Sequence, residues 1–371
     1  MLESVEWGEY RLGNLFEIHP TKAYKYTNNE LFSFSGATPV VTNTSLNNGI
    51  SGTVGLSATE EGGIITYSDT TTSDAIFYQP RPFVGYSHVQ GLYPKDYKWG
   101  QNTLLYVVAS FRKSACGLFD YGNKFNRSIA SEMNIILPTR NGKIDFEFME
   151  KFIAELKALR IAELKAYLFV TGLKDYTLTP EEEQAVKDFE AGNVEWGKYH
   201  FEKVFNHIKQ GRRLKKDDQK EGAIPFVMAG TSNTGVINYI SNPIATFPPN
   251  SITIDIFGNT FYRNYGFGAG DDTGVYWDDQ KNYSKEIMLF FTTAMSRALV
   301  GKYSFGKKLR SSQSLKEQMF LLEHQGSPDY SGMKTFISAI QKLVIKDVVL
   351  YADREIEATK QVVNKTSIIE I

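Results

Sequence analysis

The sequence predicts a mixed α+β protein: two tandem globular α/β domains separated by two long antiparallel helices, with pseudo-two-fold symmetry. Three features lead there. The chain repeats itself at long range. Each copy closes on a stretch of helical period. The bodies are rich in Gly, Thr, Asn, Tyr and Phe and carry short β-type runs.

Self-similarity in a fixed order defines architecture before any local propensity does. "VEWGEY" stands at residues 5–10 and "VEWGKY" at 194–199, an offset of 189 (194 − 5). An apolar pair follows in each copy, Leu15-Phe16 and Val204-Phe205, ahead of a short polar turn. "TPVVTNTSLNNGISG" (38–52) matches "IPFVMAGTSNTGVINY" (224–239), and "GGIITYSDTTTSDAIFYQ" (62–79) parallels "NSITIDIFGNTFYRN" (250–264). "GLY" (91–93) answers "GVY" (274–276), and "YGNKFNRS" (121–128) answers "FGKKLRSS" (305–312). Each match is weak alone; their shared order is the signal. The bodies are predicted over 1–142 and 194–328. Their β-type runs are "GGIITYSD", "TLLYVVASF", "EMNIILP", "SITIDIFG" and "EQMFLLE".

A helix is predicted over 143–173, with Asp145 as N-cap and Gly172 as stop. Phe148, Phe152, Leu156 and Leu159 recur at spacings of four, four and three, and Ile161, Leu164 and Leu168 widen the stripe. The second helix, over 329–364, carries Phe336, Ile340, Leu343 or Val344, and Val348 in a comparable stripe. A lone helix cannot bury such a stripe, so the two are expected to pack on each other as a coiled-coil-like pair. The connector over 174–193 holds a short helix. Thr179 caps it, Pro180 opens it, Glu181 to Glu183 suit its positive end, and Gly192-Asn193 ends it.

Composition bounds the function. A chain of 371 residues holds two or three domains. Apolar content of 42% and charged content of 22% describe an ordinary globular protein. The apolar runs are too short to span a membrane, and the N-terminus lacks a basic region followed by an apolar stretch. The single cysteine, Cys116, is expected to be a small buried hydrophobe, and a cytoplasmic location is expected. Net charge is −1, yet the basic residues cluster at Lys203 to Lys220 and at Lys302 to Lys316.

A tandem pair of this shape has the symmetry needed to address two inverted half-sites on duplex DNA. A helix over 145–170 would be about 38 Å long, close to one duplex turn of about 34–36 Å. Polar loop residues read base edges, and cations meet phosphates or guanine. In the first unit the candidates are Thr42, Asn43, Thr44, Asn47 and Asn48 of "TNTSLNN"; Ser68, Thr70, Thr71 and Thr72; Tyr86 and His88; and, for phosphates, Lys124 and Arg127. In the second unit they are Thr231, Ser232 and Asn233; Asn259 and Arg263; Lys307, Lys308 and Arg310; and the basic stretch of Arg212, Arg213, Lys215 and Lys216.

The opening W-G-x-[FY]-x-[LF]-x-x-[LV]-F, the paired helices and the F/Y-G-x-K…R-S stretch before a final apolar strand resemble the specificity subunit of type I restriction–modification enzymes. They equally resemble the separate specificity subunit of type IIB-like systems. The resemblance implies a non-catalytic subunit whose target-recognition domains each read half of a split site. It implies helices that act as spacers and dock methyltransferase subunits, with a restriction or translocase subunit as a further partner. S-adenosylmethionine, ATP and magnesium are then expected on partner subunits and no cofactor on this chain.

No catalytic or metal-binding residue is expected here. "GKYSFGKK" (301–308) ends in Lys308 where a phosphate-binding loop needs Ser or Thr, and it follows a helical stretch rather than a strand. The five histidines, His19, His88, His200, His207 and His324, lack metal-ligand spacing. The two "ELK" triplets lie on the helical stripe as ordinary surface residues. The alternative reading is a tandem carbohydrate- or peptide-binding module, given an aromatic content of 13%.

Overall fold

The computed structural model describes residues 5–70, 73–119 and 122–369. The chain divides into two compact units. The first runs to residue 163 and takes in the chain's end from residue 359; the second covers 164–358. Among the described residues, no helix is long and apolar enough to cross a membrane.

In the first unit, strand Glu6–Arg11 pairs antiparallel with Asn134–Arg140, which turns through Asn141-Gly142 into Lys143–Ile144. A four-stranded antiparallel sheet follows, in the order Phe16–Pro20, Val89–Pro94, Ile64–Ser68, Ile76–Gln79. A two-stranded ribbon, Thr38–Val41 with Ile50–Val54, carries the loop between them. Helix Gln101–Ala115 closes the core. "TLLYVVASF" lies inside that helix, so the strand expected there is corrected. Thr103, Leu104, Val107, Phe111 and Ala115 are the buried residues, three and four apart, which a strand would have spread over both faces. Its Leu104, Val107 and Phe111 pack with Phe16, Tyr67, Leu92, Phe125, Ile135 and Met149. Cys116, just past this helix, is exposed rather than buried.

The second unit repeats the plan. Strand Trp196–His200 pairs with Gln318–His324, and the four-stranded sheet runs His207–Gln210, Thr273–Trp277, Ser251–Asp255, Thr260–Arg263. In both units the first strand of that sheet therefore lies beside the last, and the middle two follow. A further sheet here runs Val236–Ile240, Glu221–Val227, Phe267–Ala269, Thr246–Phe247. Helix Lys285–Leu299 supplies Met288, Phe291, Met295 and Leu299 to a core with Phe205, Ile252, Tyr276, Met319, Leu321 and Met333.

The repeated words of the sequence now have a steric cause. Residues two apart on a strand share a face. A Cβ added at Gly8 would lie 3.0 Å from the Tyr10 ring, and one at Gly197 would lie 2.6 Å from the Tyr199 ring. The "GLY" and "GVY" triplets repeat the device. A Cβ at Gly91 would lie 2.6 Å from Tyr93, and one at Gly274 would lie 3.2 Å from the Tyr276 hydroxyl. Each glycine leaves room for the tyrosine two residues on, and any larger residue would overpack at about 1–3 kcal/mol.

The long helices span Phe146–Val170 and Tyr330–Ile369. Asp145 caps the first, accepting from Phe148 N at 3.0 Å, and Gly172, at φ +71°, follows its end. Their packing corrects the predicted stripe. Phe148 stacks on Phe152, and Phe152 meets Tyr106 of its own unit's helix, while Leu156 and Leu159 are 40% and 54% exposed. Phe336 stacks on Phe189 of the connector, Ile340 is half-buried, and Val344 and Val348 are 72% and 38% exposed. The first turns are claimed instead by each unit's own core, through Met149 and Met333, both 0% exposed. Helix-to-helix burial starts later, where Leu164 and Leu168 join Leu173, Tyr176, Ile345, Val349 and Ala352.

The connector helix Pro180–Glu190 is held by charge as well as by packing. Thr179 and Glu182 form a reciprocal capping box. Glu182 also accepts Lys342 Nζ at 2.9 Å and Ser338 Oγ at 2.6 Å, and Lys342 donates to the Thr177 carbonyl at 3.0 Å. As the second long helix advances from Ser338 to Ala352, its partners step back from Glu182 to Leu168.

Candidate nucleic-acid interface

In the first unit the ribbon strands end in Asn47-Asn48-Gly49, all at positive φ (46°, 55° and 79°). Asn and Gly tolerate this conformation, and in the tip it forms Asn47 and Asn48 are exposed while Gly49 is buried. Asn47 Nδ2 donates to Ile50 O at 3.1 Å and Asn48 Nδ2 to Tyr78 O at 3.1 Å. Thr42 shares a hydroxyl hydrogen bond of 2.5 Å with Ser51, and Thr44 Oγ1 accepts from Leu46 N at 3.2 Å. Asn43 Nδ2 reaches Thr70 Oγ1 at 3.2 Å, and Thr70 in turn contacts Ser68 Oγ at 3.2 Å. Asp69 binds both His88 Nδ1 at 3.1 Å and Gln90 Nε2 at 2.7 Å. The structure thus gathers Thr42 to Asn48, Ser68, Thr70 and His88 into one polar cluster, although they lie apart in sequence. Thr71 and Thr72 lie outside the described residues. Tyr86 is half-buried and its hydroxyl donates to Asn28 Oδ1. Lys124 and Arg127 are exposed, Arg127 at the start of helix Arg127–Glu132, and Arg127 acts electrostatically on the buried Tyr67 hydroxyl.

The second unit builds the same tip from Asn233-Thr234-Gly235, at φ 46°, 52° and 84°. Asn233 Nδ2 donates to Val236 O at 3.3 Å, as Asn47 does to Ile50. Thr231, Ser232 and Asn233 are exposed. Two of the predicted contacts are corrected. Arg263 is 1% exposed, and its guanidinium is engaged by Thr253, Thr234 and Tyr265 inside the unit. Asn259 turns inward, donating Nδ2 to Asp255 at 2.8 Å, and the same carboxylate accepts the backbone N–H groups of Gly230, Phe257 and Asn259. Both residues brace the turns instead of presenting an edge to a base.

The predicted cations of this unit separate into two groups. Arg212, Arg213 and Arg310 converge on a depression of about 890 Å³, also lined by Lys209, Gln210 and Trp277. Arg310 Nη1 donates to Asp271 O at 2.6 Å and Gln210 Nε2 to the same oxygen at 3.0 Å. The next residue, Asp272, accepts Ala229 N at 3.0 Å, so one turn ties the basic depression to the base of the polar tip. Lys215 and Lys216, and Lys307 and Lys308, are exposed but do not line it. Among the described residues, Arg212, Arg213 and Arg310 form no ion pair with a carboxylate. Unpaired guanidinium groups beside polar side chains suit phosphate. Lys209, Gln210 and Trp277 were missed in the sequence because a strand pairing, not local pattern, brings them there. Gln79 was missed too, although "FYQ" and "FYR" align it with Arg263.

Comparison with known proteins identifies the family and the fold. The family described as the type I restriction modification DNA specificity domain matches residues 4–166 and 193–322, so the domain occurs twice. The specificity subunit of the type II restriction enzyme BgcI from Heyndrickxia coagulans is 26% identical over 253 residues, covering 66% of this chain and 68% of that protein. The crystal structure of the type I restriction–modification S subunit from M. genitalium superposes with a TM-score of 0.56 at 13% identity, over 98% of this chain and 95% of that one. The likeness of fold supports two tandem mixed α/β domains, and neither comparison supports a carbohydrate- or peptide-binding module. With its duplicated body, its paired helices and two matching polar tips, the chain belongs to the type I restriction modification DNA specificity domain family.

Proposed function

We propose that this chain reads a bipartite DNA target, one part through each unit, and presents its long helices to adenine-N6 methyltransferase subunits. The duplicated polar tip carries the reading: the same backbone conformation recurs at 47–49 and 233–235, and the residues leading into it differ, Thr-Asn-Thr-Ser-Leu at 42–46 against Met-Ala-Gly-Thr-Ser at 228–232. A common scaffold with divergent loops leading into a shared tip is what two distinct half-sites require. Cations supply affinity and the tips supply choice.

The helices support the docking role. Within the second unit, Tyr167, Phe169, Val170, Leu343, Val344 and Tyr351 are between 43% and 82% exposed. Large apolar side chains left exposed in this number on paired helices suit a protein interface. The partners would carry the chemistry, using S-adenosylmethionine for methylation and ATP and magnesium where cleavage or translocation occurs. A restriction or translocase subunit is a further partner in this reading, and the assembly would act in the cytoplasm.

Exchanging residues 1–140 for the matching part of another specificity subunit tests the modular reading. Sequencing the methylated sites of the reconstituted complex should show one half-site changed and the other kept. Change in both halves would defeat the proposal.

A further inference from the structure

The tips differ in sequence but share an internal support. The last strand of each four-stranded sheet ends in one long, buried polar side chain, Gln79 in the first unit and Arg263 in the second, 2% and 1% exposed. Their backbone positions correspond: Gln79 lies opposite Ile64, with Phe77 opposite Thr66, and Arg263 lies opposite Ser251, with Phe261 opposite Thr253. Gln79 Nε2 donates to Thr66 Oγ1 at 3.0 Å and to the Asn48 carbonyl at 3.1 Å. Arg263 Nε donates to Thr253 Oγ1 at 3.1 Å, Nη1 to Thr234 Oγ1 at 2.9 Å, and Nη2 to the Thr234 carbonyl. In both units one side chain thus ties a strand threonine to the middle residue of the tip.

The support has most to do in the second unit. Thr234 is β-branched and sits at φ +52°, a conformation such residues adopt only when held. Asn48, in the matching place, tolerates φ +55° on its own. The weaker demand goes with the neutral amide, which donates once to its tip and accepts once from Asn48 Nδ2, and the stronger demand with the forked guanidinium, which donates twice.

Resting on the DNA-reading function above, we propose that Gln79 and Arg263 are positioning residues for specificity. Neither touches DNA; each fixes the left-handed tip and, through it, the polar loop leading into it (Thr42 to Leu46; Thr231 and Ser232), which chooses the base pairs of one half-site. A tip released from its support keeps its side chains but samples other conformations, so discrimination falls in that half alone.

The test uses the complete complex and a duplex pool randomised in both half-sites, with base preference read by sequencing the bound fraction. Arg263→Met removes every donor and should lower discrimination in the second half-site by about tenfold, the scale of one base contact, leaving the first unchanged. Gln79→Met should do the reverse. Arg263→Gln installs the first unit's own solution and should restore most of the second half-site's preference. The idea fails if Arg263→Met keeps its preference, if it weakens both halves equally, or if Arg263→Gln performs as badly as Met. Loss of any half-site preference in the unmutated complex would instead refute the DNA-reading function itself.

Discussion

The basic depression of the second unit makes a prediction that salt can measure. Arg212 and Arg213 line it, are exposed, and have no carboxylate partner among the described residues. Each phosphate that such a cation neutralises adds about 0.9 to the slope of log K against log salt. Arg212→Ala/Arg213→Ala removes two contacts, so the slope should flatten by about 1.8. Between roughly 50 and 200 mM salt, that difference makes the variant's deficit shrink by about twelvefold. Because phosphates carry no sequence information, the loss should fall alike on specific and non-specific duplexes. Fluorescence anisotropy of the full complex on labelled duplexes, titrated at four salt concentrations, reads the slope directly. Lys174→Ala/Lys346→Ala, placed on the connector and the second long helix, serves as the control and should leave it unchanged. An Arg212→Ala/Arg213→Ala slope equal to the parent's, or a deficit independent of salt, would refute the phosphate role of the depression.

Two further outcomes test the packing. Burial pushes the Glu182 carboxyl up, but hydrogen bonds from Lys342, Ser338 and the Thr179 backbone outweigh it and hold it below its ordinary value of 4.5. A depressed carboxyl stabilises the fold above its unfolded value and loses that contribution as pH falls through the folded one. Glu182→Gln should therefore cost about 1–3 kcal/mol at neutral pH, with the difference closing below about pH 4. Thermal melts at both pH values check it, and a gap that persists in acid would contradict it. Met333→Ala, at a residue 0% exposed, should cost about 2–5 kcal/mol. Val344→Ala, at 72% exposure, should stay within about 0.5 kcal/mol in the isolated chain. Denaturant titration of both variants distinguishes the observed packing from the predicted stripe, under which Val344→Ala would also be costly.

Legibility varied with the range of the interaction. Caps were readable because their partners lie three or four residues away: Thr179 with Glu182, Asp145 with Phe148. The strand runs at 64–68, 134–140, 251–255 and 318–324 were readable from their apolar character. "TLLYVVASF" was misread because a short β-branched run does not distinguish strand from buried helix until its partners are known. The helix stripe was misplaced because periodicity names a face without saying what covers it. Each unit's core took the first turns through Met149 and Met333, leaving Leu156, Leu159, Val344 and Val348 exposed.

By itself the sequence determined that the chain is a duplicated reader. Repetition in order, helix caps and the glycine that makes room for a tyrosine two residues on all act locally and survive in one dimension. Only the tertiary structure decided which polar side chains face outward. Asn259 and Arg263 have the chemistry of base contacts, yet the fold engages both internally: Arg263 is buried, where desolvation makes its donors find internal acceptors, and the half-buried Asn259 of the preceding turn donates to Asp255. Arg212, Arg213 and Arg310, some hundred residues apart at the extremes, share one depression because Asp271, Gln210 and Arg310 meet there across the fold.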